Sequence, residues 1–90
     1  MKKVKTHKFR LGKYYIDEDA CEGFCDLPGD ASKLRMHILK GRGFRSLVSA
    51  IHESMHAEGI SKHFLDEDRD SAEAISKFLW RLGWRRKKKT

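Results

Sequence analysis

His52-Glu53-Ser54-Met55-His56 is the segment of this 90-residue chain best equipped for chemistry. On an α-helix, residues four apart lie one above the other. His52 and His56 can therefore offer two imidazole nitrogens to one metal ion, the ligand type that zinc takes in tetrahedral sites. Glu53, next to the first histidine, can approach a metal-bound water without ligating the metal. It would take a proton from that water and later return one to the leaving group. A shuffled chain of this composition contains the HExxH pattern roughly 1–2% of the time, so the surroundings of the motif must carry the weight.

Those surroundings predict a helix. Phe44, Leu47, Val48, Ile51 and Met55 recur at three- and four-residue intervals, one apolar face from Phe44 to about Glu58, with Gly59 placed to end it. A second helix is expected from the acidic run Asp66-Glu67-Asp68, which suits a helix N-terminus, to Leu82, with Gly83 as its stop. The first forty residues read as strands and turns. Val4 to Ile16 is rich in β-branched and aromatic residues around a turn or bulge at Gly12, Asp17-Glu18-Asp19 reads as a polar connection, and Pro28-Gly29-Asp30 as a turn. Leu34, Met36 and Ile38 alternate with Arg35, His37 and Leu39, a half-buried strand, before Gly41-Arg42-Gly43 breaks the chain. The order of strands followed by two helices predicts an α+β fold: a small antiparallel sheet of N-terminal strands packed on two helices.

Ninety residues bound this to one domain with a thin core, which a bound metal would help to hold. The net charge of +7 sits at the ends: half of the 20 basic side chains lie in residues 1–10 and 85–89, and residues 11–84 carry a net −3. The expected organisation is one domain over residues 1–84 and a basic tail over 85–90. No apolar stretch approaches a membrane span and no hydrophobic signal core follows the first lysines, so a cytoplasmic location without membrane contact is expected. Two cysteines, Cys21 and Cys25, are too few for a disulfide scaffold.

From the strand at Leu34–Leu39, through Ile51-His52-Glu53-Ser54-Met55-His56-Ala57, to Phe78-Leu79-Trp80-Arg81-Leu82-Gly83-Trp84, the chain resembles a zincin-type metallopeptidase reduced to its core. It is similar to small uncharacterised bacterial and phage proteins with a strand–HExxH–helix layout. The resemblance implies Zn2+ as cofactor, a peptide or protein substrate, and a strand beside the active-site helix that binds substrate in extended form.

A catalytic zinc site has three protein ligands and an open position. In the metzincin pattern Gly59 is in place, but Lys62 stands at the third histidine position and His63 falls one residue late. The gluzincin pattern takes an acid from the next helix, and Glu73-Ala74-Ile75-Ser76 is similar to the segment around that ligand, which points to Glu73. Helical phase leaves two settings open. A buried stripe of Ile75, Leu79 and Leu82 turns Glu73 away, whereas one through Ser76, Trp80 and Gly83 puts it on the flank. Asp68, Glu67 and His63 are the alternatives.

Other features suggest other chemistry. Cys21 and Cys25 with His52 and His56 would make a structural Cys2His2 set, though one needing no Glu53. The tail Arg85-Arg86-Lys87-Lys88-Lys89 could contact nucleic-acid phosphates, but reads more simply as a solvated end. Trp80 and Trp84 are expected to pack inward. Tyr14, Tyr15 or His37 could assist a developing oxyanion. The reading is a zinc-dependent hydrolase of the metallopeptidase type with His52, His56 and Glu73 as ligands and Glu53 as general base. The alternatives are a nucleic-acid-binding protein using its basic ends, or a catalytically silent zincin-fold interaction module.

Overall fold

In a computed structural model, residues 4–19, 24–26, 29, 33–60 and 70–87 are described. Four strands, β1 (Thr6–Phe9), β2 (Gly12–Asp19), β3 (Phe24–Cys25) and β4 (Arg35–Leu39), precede two helices, α1 (Phe44–Ala57) and α2 (Asp70–Arg81). The strands form one sheet in the order β1-β2-β4-β3. The fold is α+β, as the order of sequence patterns predicts.

The sheet is mixed, not wholly antiparallel. β1 and β2 form an antiparallel hairpin and β3 lies antiparallel to β4, but β2 and β4 run parallel. Parallel neighbours cannot be joined by a tight turn, and here the chain leaves β2, passes through β3 and re-enters as β4. Asp17-Glu18-Asp19, expected as a connection, is the last part of β2 and pairs with His37, Ile38 and Leu39. β4 is an inner strand: β2 and β3 flank it, because Phe24 and Cys25 pair with His37 and Met36.

Alternation along the strands decides what faces α1. Tyr14 is fully buried and Ile16 half-buried on one face of β2, while Lys13, Tyr15 and Asp17 point outward. On β4, Met36 and Ile38 turn inward, and Arg35 and His37 outward. Tyr14, Met36 and Ala57 of α1 make the centre of the core, with Phe9, Leu11, Ile16, Cys25, Leu34 and Ile38 packed around them. The core is thin, as a chain this short requires. The hairpin turn uses Gly12, whose φ of +148° favours glycine and whose Cβ, if present, would lie 2.9 Å from Leu34 Cδ1.

α1 is fastened to the sheet at both ends. At its start, the Leu39 amide donates to Ser49 Oγ at 2.9 Å and Ser46 Oγ donates to the Lys40 carbonyl at 3.0 Å. At its end, the Leu11 amide donates to the Ala57 carbonyl at 3.0 Å and the Arg10 amide to the Glu58 carboxylate at 2.8 Å. Gly59, with φ +84°, closes α1 in a Schellman turn: its amide donates to the His56 carbonyl, and the Ile60 amide to the Met55 carbonyl. Gly83, with φ +99°, closes α2 in the same way, through Trp80 and Leu79. Both stop signals in the sequence thus work as predicted. The stretch holding Asp66, Glu67 and Asp68 lies outside the described residues.

α2 packs on α1 through a stripe of small residues, Ala72 and Ser76, with Trp80 set edge-on against Phe44 at 5.6 Å between ring centroids. Ser76, fully buried, donates its hydroxyl back to the Ala72 carbonyl at 2.7 Å. Ile75, Phe78 and Leu82 are left exposed. The stripe through Ser76 and Trp80 is therefore the one realised.

The basic tail is not simply solvated. Glu18 occupies an inward-facing position of β2 with only 9% of its side chain exposed, and Arg86 clamps it with two hydrogen bonds of 2.5 and 2.7 Å. The Glu18 hydrogen bond pushes the Arg86 pKa still higher against the opposing effect of burial. Arg85 stacks over the Trp80 ring at 3.4 Å and donates to the Trp80 and Trp84 carbonyls, each at 2.9 Å. Residues 88–90 lie outside the described residues.

Removing Arg86 strands a largely buried carboxylate, a more severe fault than losing both partners. Arg86→Gln is expected to lower the unfolding free energy by about 2 kcal/mol. In the Glu18→Gln/Arg86→Gln double variant the loss should fall short of the sum of the single losses. Urea unfolding of the four proteins measures this, and strict additivity would remove the clamp from the account of stability.

Candidate metal centre

The local sequence makes α1 amphipathic in an unusual way: its deepest positions, Glu53 and Ala57, are four apart and face the sheet. His52 and His56, one position before each, share a neighbouring stripe and are half-buried. Their Nε2 atoms stand 3.2 Å apart, with ring centroids at 4.8 Å and planes at 78°. The motif's two histidines are thus brought together, nitrogen toward nitrogen, by the helix alone.

Glu53 is 6% exposed. α1 packs against β3 as well as β4, and the Glu53 charge acts on Cys25 of β3. Cys25 is half-buried, its Sγ 3.5 Å from the Asp26 carbonyl, and Tyr14 donates its hydroxyl to that same carbonyl at 2.6 Å. Burial pushes the Cys25 thiol from 9.0 up to about 11; a hydrogen bond with Tyr14 opposes this, and the charges of Glu53 and Asp26 add to it. The thiol is therefore protonated at neutral pH. Composition and spacing give no sign that α1 meets β3, since β3 is two residues long and 28 positions of sequence separate Cys25 from Glu53.

Glu73 stands on the flank of α2, half-exposed, with its carboxylate 3.5 Å from the guanidinium of Arg45. Arg45 lies seven residues before His52, two helical turns along the same stripe. Glu73 is therefore on the histidine side of α1 but engaged toward its N-terminal end. Among the described residues, no group of three or more histidine, cysteine, aspartate or glutamate side chains is close enough to hold a metal ion. His63, Glu67, Asp68 and Cys21 lie outside the described residues. Cys25 does not join the histidines in such a group, so no Cys2His2 arrangement forms among the described residues.

The residues considered for oxyanion assistance are placed elsewhere. Tyr14 is sealed in the core. Tyr15 projects from the outer face of β2, where Lys13 and Lys33 lie over its ring at 5.5 and 4.6 Å. His37 sits on that outer face too, opposite Asp17 in the parallel register, with a 3.4 Å contact between them. The two-residue period of a strand puts both on the side away from α1. No helix among the described residues is long and apolar enough to cross a membrane.

Comparison of the chain with protein-family models, with curated proteins and with solved structures returns no match.

A thiol that holds its proton more tightly in the folded chain contributes stability that is complete below pH 9 and is lost as pH rises through about 11. In a Cys21→Ser background, alkylation of Cys25 by iodoacetamide is expected to be slow at pH 8 and to accelerate toward pH 11. Fast alkylation at pH 8 in the folded protein would show that the thiol is not shielded by burial.

Proposed function

We propose that this chain is a zinc-dependent hydrolase, of the metallopeptidase type, working through the HExxH segment of α1. The observation that carries the proposal is the 3.2 Å between the Nε2 atoms of His52 and His56. Two nitrogens bound to one tetrahedral zinc are separated by about 3.3 Å, given the usual Zn–N bond length. The pair fits the metal without rearrangement of the helix.

His52 and His56 supply two ligands. Glu73 is the third, reached by exchanging Arg45 for the metal; His63, Glu67 and Asp68 are the alternatives if it is not. A zinc ion held by these residues would supply Lewis-acid polarisation of a carbonyl and a more acidic water. Glu53 accepts the proton of the attacking water and returns it to the leaving amine. Glu53 is buried, and hydrogen bonds are stronger in a low-dielectric interior than in water. The substrate class is a peptide in extended form, laid against the sheet beside α1.

The nucleic-acid reading has less behind it. Arg85 and Arg86 are both engaged with groups of this same chain, so they would have to leave those partners to meet phosphates.

The test joins metal content with turnover. Wild type is expected to hold one zinc per chain by elemental analysis, and His56→Ala to lose it. Glu53→Gln should keep the zinc yet lower peptide hydrolysis at least about 100-fold. Loss of zinc in Glu73→Ala assigns the third ligand; retention moves it to the 61–69 segment. Wild type that takes up no zinc even after addition of the metal would end the hydrolase reading.

A further inference from the structure

A cleft lies at the other end of α1, apart from the histidine pair. The end of β4, the Gly41-Arg42-Gly43 loop, the first turns of α1 and the last turn of α2 enclose a cleft of about 380 Å³. Its walls are apolar: Ile38 from the sheet, Leu47 and Ala50 from α1, and Leu79, Trp80 and Trp84 from the end of α2. The Schellman turn at Gly83 makes this shape, because it folds Trp84 back over Leu79. Trp84 nevertheless remains 64% exposed at the mouth, a large apolar surface left to water in a protein with little apolar surface to spare.

The charges at the cleft have one sign. Arg42, Arg85 and Arg86 line it and no acidic side chain does. Arg86 is neutralised by Glu18, and Arg85 is held to the end of α2. Arg42 differs: it is exposed, and among the described residues no carboxylate pairs with it. The first turn of α1, which starts beside it, has no acidic residue. The cleft volume lies at the lower end of the range for small-molecule sites, which are typically apolar pockets with a few oriented polar groups.

We infer that this cleft binds a small apolar monocarboxylate, with its hydrocarbon body between Ala50, Leu47 and the two tryptophans and its carboxylate at Arg42. The apolar lining selects the body and the unpaired cation the head. A polar ligand would leave the walls unmatched, and a cation would meet three arginines.

Trp80 and Trp84 are the only tryptophans of the chain and both line the cleft, so intrinsic fluorescence reports occupancy directly. The full chain is titrated with sodium decanoate and, separately, with decanol, both below the concentration at which they aggregate. Decanoate is expected to give a saturable blue shift, and decanol a weaker one. Arg42→Gln should weaken decanoate about fivefold and leave decanol unchanged. Ala50→Leu, which fills the cleft, should weaken both at least tenfold while the far-ultraviolet circular dichroism is preserved. If Ala50→Leu fails to fold, the Arg42→Gln comparison decides alone. An emission spectrum that does not saturate with decanoate overturns the inference. So does equal binding of acid and alcohol that Arg42→Gln leaves untouched.

Discussion

The attachment of α1 to the sheet at both ends is the constraint on which the rest of the structure depends. Main-chain amides at Leu39 and Leu11 bond Ser49 in the second turn of α1 and Ala57 at its end, so its rotation about its own axis is set. Once that rotation is set, Glu53 and Ala57 must face the sheet, and His52 and His56 must occupy the neighbouring stripe. A helix held by apolar packing alone could turn by tens of degrees at little cost. One held by directional hydrogen bonds at each end cannot, because each bond weakens steeply as its angle departs from linear.

This rigidity accompanies a core too small to do the work unaided. Tyr14, Met36, Ala57 and Ala72 are its only buried apolar side chains among the described residues. Polar groups fill the gaps, each satisfied where it is buried: the Tyr14 hydroxyl by the Asp26 carbonyl, Ser76 by its own helix, Glu18 by Arg86. Buried polar groups cost free energy unless matched, and their matching here joins segments far apart in the chain. The Glu18–Arg86 clamp draws the C-terminal residues onto β2, and with Arg85 it shapes the cleft lined by both tryptophans. Stability and the form of that cleft thus share the same contacts.

The two candidate sites use opposite ends of one helix. The histidine pair stands toward the C-terminal end of α1, and the apolar cleft opens at its N-terminal end. Ala50 and Glu53 are three residues apart, yet one lines the cleft and the other is buried. A short helix pressed between a sheet and a second helix can serve two surfaces in this way, because each turn meets a different neighbour.

The local features were legible in the sequence because they depend on spacing within a few residues. The 3.6-residue period marked α1, the glycines at 59 and 83 marked the ends of both helices, and the four-residue interval of His52 and His56 determined that their imidazoles meet. Alternation marked β4 and its inward residues Met36 and Ile38. The tertiary structure alone decided the remainder. It made the sheet mixed, carried β2 through Asp17-Glu18-Asp19, packed β3 against α1, and paired Glu73 with Arg45. It also drew Arg86 onto Glu18. Each of these is a contact between residues distant in sequence, whose strength depends on burial and on which partner is within reach. Periodicity tells which face of an element is apolar; only the packed chain tells what that face meets.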